Sequence, residues 1–361
     1  MKRIIFIVSM IVFGLAFSNN DARAQGCATP TDGEGVQIFG YIQPELTTFF
    51  KDEVESYFRF RRARIGVMGV IPYDFSYYVL LETSQFMNPN QTGPFLLDAF
   101  VSYTRFDYFK ISLGSFKYRF GNELSQPCNA LYTINRAYAI DAMTGGIGGG
   151  NRDLGVMFLG GDKTKFFQYY ASLTNGYGVY ETEKNNLTQA LALTGRVVFQ
   201  PIDGLYLGGS YRYLHLPNED PTITKKDTRT RFGFDAEYSI RNLKIFGEYI
   251  DGEDDGSVMS GGGCGGDAPS VVPGSQKSDG FYGMLLYRWR NFEPVYKFEV
   301  YERSKLENEV VTGSESDMWQ TFGLNFYPND WTRLQLNYLY KTEDPKEIKN
   351  DCLLLQVQVN F

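Results

Sequence analysis

The sequence predicts an all-β fold, a transmembrane antiparallel β-barrel of about 16 strands. Short segments of alternating apolar and polar residues recur along the chain, with turn residues between them. Aromatic residues make up 16% of the chain, and such side chains collect at membrane interfaces. The last segment also alternates and stops on Phe361, and an open sheet would leave such an apolar strand as an exposed edge. A closed barrel pairs it on both sides.

The amino terminus has the pattern of an export signal at residues 1–24. Lys2 and Arg3 precede an apolar stretch, and Ala22-Arg23-Ala24 fits a cleavage site. We expect a short periplasmic segment at residues 25–35, followed by an outer-membrane barrel at residues 36–361. Beyond the signal no apolar run reaches the roughly 18 residues of a membrane helix.

Sixteen strand-like segments can be assigned, and the connections between them alternate in length. Tight turns such as Pro72-Tyr73-Asp74 and Pro328-Asn329-Asp330 follow the even-numbered segments, and longer polar loops follow most of the others. Outer-membrane barrels combine short periplasmic turns with long external loops in this way. The predicted strands are residues 36–50, 57–71, 75–86, 95–105, 109–116, 153–160, 166–175, 190–200, 205–214, 229–238, 243–250, 280–289, 293–303, 318–327, 331–341 and 351–361.

Charged side chains occupy one face of many of these strands. The alternation places Leu97 and Val101 toward lipid, and Asp98 and Ser102 toward the interior. By the same rule Arg212, Arg231, Asp235, Glu237, Arg333 and Gln335 point inward. Unpaired buried charges are very costly, so such an interior should hold water. Barrels of 16–18 strands are wide enough for an aqueous channel.

The densest basic cluster consists of four arginines, Arg59, Arg61, Arg62 and Arg64. The alternation changes phase within it, so a β-bulge near Arg61 and Arg62 would turn all four guanidinium groups toward the lumen. Guanidinium is always charged and binds oxyanions through two parallel hydrogen bonds. We expect an anion-attracting wall. The alternative is a rim cluster that binds acidic lipid or pairs with lumen carboxylates such as Glu82 and Asp98.

The connection at residues 117–151 is too long for an ordinary barrel turn. Loops longer than about 15 residues tend to be functional or disordered. We expect a long constriction loop after strand 5, folded into the barrel, with Arg119 and Arg136 among the pore-lining residues. The alternative is a mobile surface loop.

Two further features favour neither a metal site nor catalysis. The acidic stretch at residues 251–256 resembles the start of a calcium loop, but Gly262 stands where a bidentate Glu is needed. We interpret it as a solvated external loop and expect no metal or cofactor. His215 is the one histidine, and no nucleophile signature accompanies it, so we expect no enzyme. A barrel enzyme that uses His215 is the weaker alternative.

The four cysteines, Cys27, Cys128, Cys264 and Cys352, contain no C-x-x-C pair. A lipoprotein would use Cys27, but the Leu expected three residues earlier is missing. Three disulfide pairings are open, among them Cys128–Cys264 between two long loops.

Short motifs along the mature chain resemble the bacterial phosphate-selective porin O and P family, in its Bacteroidetes-type forms. They lie at residues 58–66, 74–77, 98–101, 113–117, 123–124, 135–136 and 356–361. The resemblance implies a trimeric sixteen-stranded outer-membrane porin that passes anions through an Arg- and Lys-lined constriction. Its basic positions match Arg59, Arg61, Arg62, Arg64 and Arg136. The formal net charge of −7 and the acidic inward residues leave strict phosphate selectivity open.

We therefore expect a porin in the bacterial outer membrane, through which small hydrophilic solutes diffuse with a modest preference for phosphate-like anions. The expected partners are outer-membrane lipid, small anionic or polar solutes and two further copies of the chain, but no nucleic acid. The alternative is a non-conducting barrel that acts as a binding or structural protein through its external loops.

Overall fold

The computed structural model shows a closed barrel of sixteen antiparallel strands. It describes residues 36–51, 53–87, 95–145, 151–176, 178–179, 190–216, 227–260, 270–307 and 310–361. Each strand pairs with its neighbours in sequence, and β1 pairs with β16, so the predicted fold class is confirmed. No helix among these residues is both long and apolar enough to cross a membrane.

The strands fall where the sequence predicted them, although several bounds differ. In chain order they are β1 (Val36–Phe50), β2 (Val54–Ile71), β3 (Phe75–Glu82), β4 (Leu96–Phe106), β5 (Phe109–Lys117), β6 (Arg152–Gly160), β7 (Phe167–Thr174), β8 (Leu191–Ile202), β9 (Leu205–Leu216), β10 (Asp227–Ile240), β11 (Leu243–Ser260), β12 (Ser270–Tyr287), β13 (Phe292–Glu307), β14 (Val310–Phe326), β15 (Thr332–Asp344) and β16 (Cys352–Asn360). Two short helices, α1 (Asn122–Ser125) and α2 (Tyr138–Thr144), lie between β5 and β6. Single 3₁₀ turns occupy Ser84–Met87 and Cys128–Ala130.

Side chains alternate between a lipid-facing and an inward face, as the period of two requires. On β10, Phe232 and Phe234 are 48% and 64% exposed, whereas Arg231 and Asp235 are 6% and 8% exposed. The inward assignments of Arg212, Glu237, Arg333 and Gln335 are likewise confirmed by their burial. The polar and charged face of the strands therefore points into the barrel.

The placement of Leu97 toward lipid was wrong. Between β3 and β4 the register shifts: Leu80 pairs with Asp98, and Leu81 pairs with Leu96. Leu97 is the extra residue of this bulge and packs with Tyr78 in a buried apolar cluster. A bulge reverses the phase of a strand locally, and periodicity alone does not locate it.

The interpretation of residues 251–256 as a loop was also wrong. β11 continues to Ser260 and pairs with β12, which starts at Ser270. Within this stretch the Asp254 carboxylate lies 2.6 Å from the Arg231 guanidinium. Residues 251–256 lack the apolar alternation of a lipid-facing strand, so the sequence pattern there gave no signal of a strand.

Several predictions concern residues outside the described ranges. These are the signal peptide at residues 1–24, the segment at residues 25–35, Cys27 and Cys264. The predicted Cys128–Cys264 disulfide includes Cys264 and therefore also lies outside the described residues.

Candidate functional site

The predicted bulge is present in β2. In the pairing with β1, Gln43 lies opposite Arg62 and Pro44 lies opposite Phe60, so Arg61 is the extra residue. Arg59 and Arg64 lie opposite inward-facing residues of β1, on the two sides of the bulge. A bulge re-aims the side chains that follow it, and here it keeps the arginines on the lumen side.

Carboxylates on the same wall neutralise part of this cluster. Arg59 donates two hydrogen bonds to Oε1 of Glu45, at 2.9 and 2.7 Å, and Arg61 Nη1 lies 3.9 Å from the same atom. Arg64 Nε donates to Glu82 Oε2 at 2.7 Å. The pairing with Glu82 was one of the alternatives that the sequence raised. One carboxylate thus serves both Arg59 and Arg61.

The four arginines, Arg59, Arg61, Arg62 and Arg64, are called the arginine wall below, and two of them also contact neutral groups of β1. Arg62 Nη1 donates to the amide oxygen of Gln43 at 3.0 Å, and Arg64 Nη1 donates to the Tyr41 hydroxyl at 2.8 Å. Asp98 pairs elsewhere, since its Oδ2 accepts two hydrogen bonds from Arg152 at 3.1 Å. The arginine wall keeps more positive charge than its carboxylates cancel.

The described part of the connection between β5 and β6, residues 118–145 and 151, folds into the barrel and is called the constriction loop below. Its first part is held by three strands. Gly121 N donates to Ser210 Oγ of β9 at 2.9 Å, and the Asn122 amide donates to Glu237 of β10 at 3.2 Å. Glu123 N donates to Glu248 Oε2 of β11 at 3.0 Å.

The middle of the constriction loop contacts the wall near the barrel seam. Arg333 of β15 donates to the carbonyl oxygens of Leu131 and Asn129 at 2.9 and 3.0 Å. Gln358 of β16 also donates to the Asn129 carbonyl oxygen, at 3.1 Å. The loop therefore follows the inner wall from β9 to β16.

Apolar packing completes the docking of the loop. Phe120, Leu124, Ile140 and Met143 form one buried cluster with inward side chains of the wall: Phe246, Ile250, Tyr282, Met284, Leu286, Val295 and Tyr301. Burying one such side chain contributes about 1.5–3 kcal/mol. The prediction of a constriction loop is confirmed, and a surface loop is excluded. The interior is not wet throughout, because this side of it is a packed core.

The two loop arginines that the sequence singled out mainly contact the loop itself. Arg119 Nη1 donates to the Ser125 carbonyl oxygen at 2.7 Å. Arg136 donates to the carbonyl oxygen of Gln126 at 3.1 Å and to Cys128 Sγ at 3.4 Å. Both are nearly buried, so they shape the loop and add positive charge close to the lumen.

The electrostatics of Cys128 show that loop and arginine wall are neighbours. Burial raises the pKa of this thiol, but nearby positive charges outweigh burial and hold the pKa well below its usual range: Arg136, Arg62, Arg64 and Lys117. Cys128 belongs to the loop, whereas Arg62 and Arg64 belong to β2. The structure thus brings together the two features that the sequence proposed separately.

The sequence did not predict a site role for three other buried basic residues, Lys117, Arg152 and Arg196. Lys117 Nζ donates to the loop carbonyl oxygens of Leu124 and Gln126, at 3.0 and 2.7 Å. Arg196 lies in the inward phase of β8, and this signal could have found it. Lys117 and Arg152 share the phase of the outward-facing Leu113 and Phe158, so periodicity could not have found them. Within the described ranges, no His, Cys, Asp and Glu side chains are grouped so that they could hold a metal ion.

Comparisons with known proteins agree with this geometry. A family model described as phosphate-selective porin O and P matches residues 45–242, more than half of the chain. No curated protein matches. Among solved structures, OmpF of Salmonella typhi in complex with daunomycin has a TM-score of 0.67 at 11% identity, covering 91% of this chain and 98% of that chain.

Two other solved structures have the same fold. The anion-selective porin from Comamonas acidovorans has a TM-score of 0.66 at 10% identity, covering 91% of this chain and all of that chain. The trimer form of OmpT, an outer membrane protein of Vibrio cholerae, has a TM-score of 0.63 at 13% identity, covering 91% and 100%. The fold is that of bacterial outer-membrane porins, and the chain belongs to the phosphate-selective porin O and P family.

Proposed function

We propose that this porin lets small hydrophilic solutes diffuse passively across the outer membrane, with a preference for anions set at the constriction. The observation that carries the proposal is the cluster of four arginines on the lumen side of β2, beside Cys128 of the constriction loop. On the inner faces of β1 to β4 its four arginines outnumber the carboxylates Glu45, Glu82 and Asp98. In a narrow site nearby charges decide selectivity more than distant ones.

The comparisons supply further support for this proposal. The family is described by phosphate selectivity, and one similar structure is titled an anion-selective porin. Another is titled a trimer, and we propose that this chain also forms a homotrimer in outer-membrane lipid. The roles of Arg59, Arg61, Arg62, Arg64, Arg119 and Arg136 in attracting anions are part of the proposal. So is export through the signal at residues 1–24.

One observation favours a second candidate, a barrel that conducts nothing. The apolar cluster between the constriction loop and β11 to β13 fills part of the lumen. A loop packed in this way could close the pore and leave function to the external surface. Conductance distinguishes the two candidates.

The test is the reversal potential of the purified protein in a planar bilayer across a salt gradient. We expect a conducting pore that prefers anions. A variant with Arg59, Arg61, Arg62 and Arg64 replaced by Gln should conduct with a weaker anion preference. Unchanged selectivity would remove the arginine wall from the mechanism, and a folded barrel without conductance would favour the second candidate.

We propose transport rather than catalysis, because the family and the fold are those of channels. His215 supports this choice. It lies within β9, between the inward-facing Leu214 and Leu216, and so belongs to the outward face, away from the constriction. We expect His215→Ala to leave conductance and selectivity unchanged.

A further inference from the structure

The contact between helix α1 of the constriction loop and β11 places two carboxyl groups together out of water. Glu123 and Glu248 are 2% and 3% exposed. Glu248 Oε2 accepts hydrogen bonds from Glu123 N at 3.0 Å and from the Tyr282 hydroxyl at 3.3 Å. Its other oxygen, Oε1, has no hydrogen-bond partner among the residues that the structure describes. An ionised carboxylate that is buried and lacks some of its hydrogen bonds costs free energy.

The positive charges around this pair are already engaged. Lys297 of β13 lies 3.1 Å from Glu299, and Arg196 of β8 makes two hydrogen bonds to Asp235 of β10. Arg136 donates to loop carbonyl oxygens. The titratable and charged groups that face the pair are Arg196 (β8), Asp235 and Glu237 (β10), Tyr282 (β12), Lys297 and Glu299 (β13), and Arg136 and Asp141 (the loop).

We propose that Glu123 and Glu248 form a proton-dependent latch: the constriction loop stays docked while the pair holds a proton, and α1 leaves β11 when that proton is lost. Loss of the proton leaves two like charges in one buried contact. Their repulsion and their desolvation outweigh the hydrogen bond from Glu123 N to the Glu248 carboxylate, although that bond is stronger when the carboxylate is charged, and the contact opens. The neighbouring contacts of Gly121 and Asn122 with β9 and β10 would loosen with it. This regulation rests on the proposed channel function.

The environment of Glu123 sets the pH range. Burial raises the pKa of Glu123 to about 7, although Lys297, the Ala137 amide and Arg136 act in the opposite direction. A carboxyl group with a raised pKa stabilises the docked state fully below its ordinary value of 4.5, and this stabilisation is lost as the pH rises through about 7. The latch is therefore closed in mild acid and open in mild base.

Hydrogen exchange of the folded, membrane-extracted barrel tests the latch directly. We expect the amides of residues 121–123 to exchange on the order of tenfold faster at pH 8.5 than at pH 6, beyond the intrinsic effect of pH on exchange. Glu248→Gln and Glu123→Gln should each remove this excess, because a neutral amide imitates the protonated carboxyl. The matched control is Glu237→Gln, a wall glutamate that contacts the same helix and should keep the excess.

Conductance between pH 6 and 8.5 gives an independent readout. We expect it to rise in the wild type and in Glu237→Gln, and to stay flat in Glu248→Gln. Two results would overturn the latch. One is a wild type whose amides at residues 121–123 exchange no faster at pH 8.5 than the intrinsic effect of pH predicts. The other is faster exchange at pH 8.5 that persists in both Glu123→Gln and Glu248→Gln. A barrel that shows the exchange excess but conducts at neither pH would overturn the channel function and leave the latch standing.

Discussion

Gly40 and Phe361 close the barrel by exchanging both backbone hydrogen bonds, at 2.9 and 3.0 Å. The pair joins the first strand to the carboxy-terminal residue. The Phe361 ring also lies where a side chain at position 40 would be, since an added Cβ would come within 2.5 Å of it and of the Arg64 carbonyl oxygen. The seam thus requires glycine opposite the terminal aromatic residue.

Gly40→Ala should weaken the seam. The new methyl group meets a backbone oxygen that cannot move alone, and forcing a group into a packed place costs about 1–3 kcal/mol. The measurement is the urea midpoint of the detergent-folded barrel, followed by its heat-modifiable gel mobility. Gly195→Ala is the matched control, because an added Cβ there meets nothing within 4 Å. Equal midpoints for the two variants would contradict the importance of the Gly40 contact.

Glu45→Gln should increase anion preference. Glu45 is the carboxylate that Arg59 and Arg61 share, so its neutralisation leaves their positive charge uncompensated in the lumen. We expect the anion-to-cation permeability ratio to rise about twofold, because water and salt in the lumen screen part of the Glu45 charge. Reversal potentials across a salt gradient measure it. Glu302→Gln, outside the lumen, serves as control, and a ratio that falls in Glu45→Gln would argue against the arginine wall.

Asp235→Asn should lower the free energy of unfolding of the barrel more than a substitution that breaks an exposed ion pair. Asp235 and Arg196 are both nearly buried and joined by two hydrogen bonds, so the substitution leaves a buried guanidinium with weaker partners. Breaking such a pair costs about 3–5 kcal/mol in a dry interior, and less where water reaches it. Asp107→Asn breaks the exposed pair with Lys165 and should cost under about 1 kcal/mol. Similar urea midpoints for both would show that water screens the inner pair fully.

Tyr138→Ala should loosen the second half of the constriction loop. The Tyr138 ring stacks on Trp319 of β14, with centroids 4.3 Å apart and planes 8° apart, and meets Tyr301 edge-on. An aromatic pair contributes about 0.5–1.5 kcal/mol beyond its buried area. We expect a shift in tryptophan emission and a noisier channel current. Tyr138→Phe keeps the stacked rings but loses the hydrogen bond that the Tyr138 hydroxyl accepts from Arg303 at 3.2 Å, so its tryptophan emission should stay close to that of wild type. Emission that changes equally in both variants would rule out the stacking.

Gly121→Ala should disturb the start of the same loop. Gly121 has a φ of +58°, a conformation unfavourable for residues with a Cβ, and an added methyl group would collide with Glu248 Oε1. We expect faster hydrogen exchange at residues 121–123 already at pH 6. Gly247→Ala, on the neighbouring wall, adds a methyl group with ordinary clearance and should exchange like wild type.

The sequence by itself determined the sixteen strands, most of their inward and outward faces and the bulge beside Arg61, because a membrane and a polar lumen impose a strict period of two. Leu97 was the exception, because a second bulge reverses the phase there. It also marked the constriction loop by length. Leu354, which breaks the alternation of the last strand, packs on Ile134 of that loop. The sequence pattern shows that Leu354 interrupts the alternation, but it does not show the contact with Ile134 that accounts for it.

Only the tertiary structure decided which inward charges cancel each other. Arg59 with Glu45, Arg64 with Glu82 and Arg196 with Asp235 join residues on different strands. It also decided that the loop packs as a core on β11 to β13, and that β11 continues as a paired strand to Ser260. Alternation reports the face that each side chain occupies, but pairing depends on register across strands and on the path of a loop through the lumen, which no local period encodes.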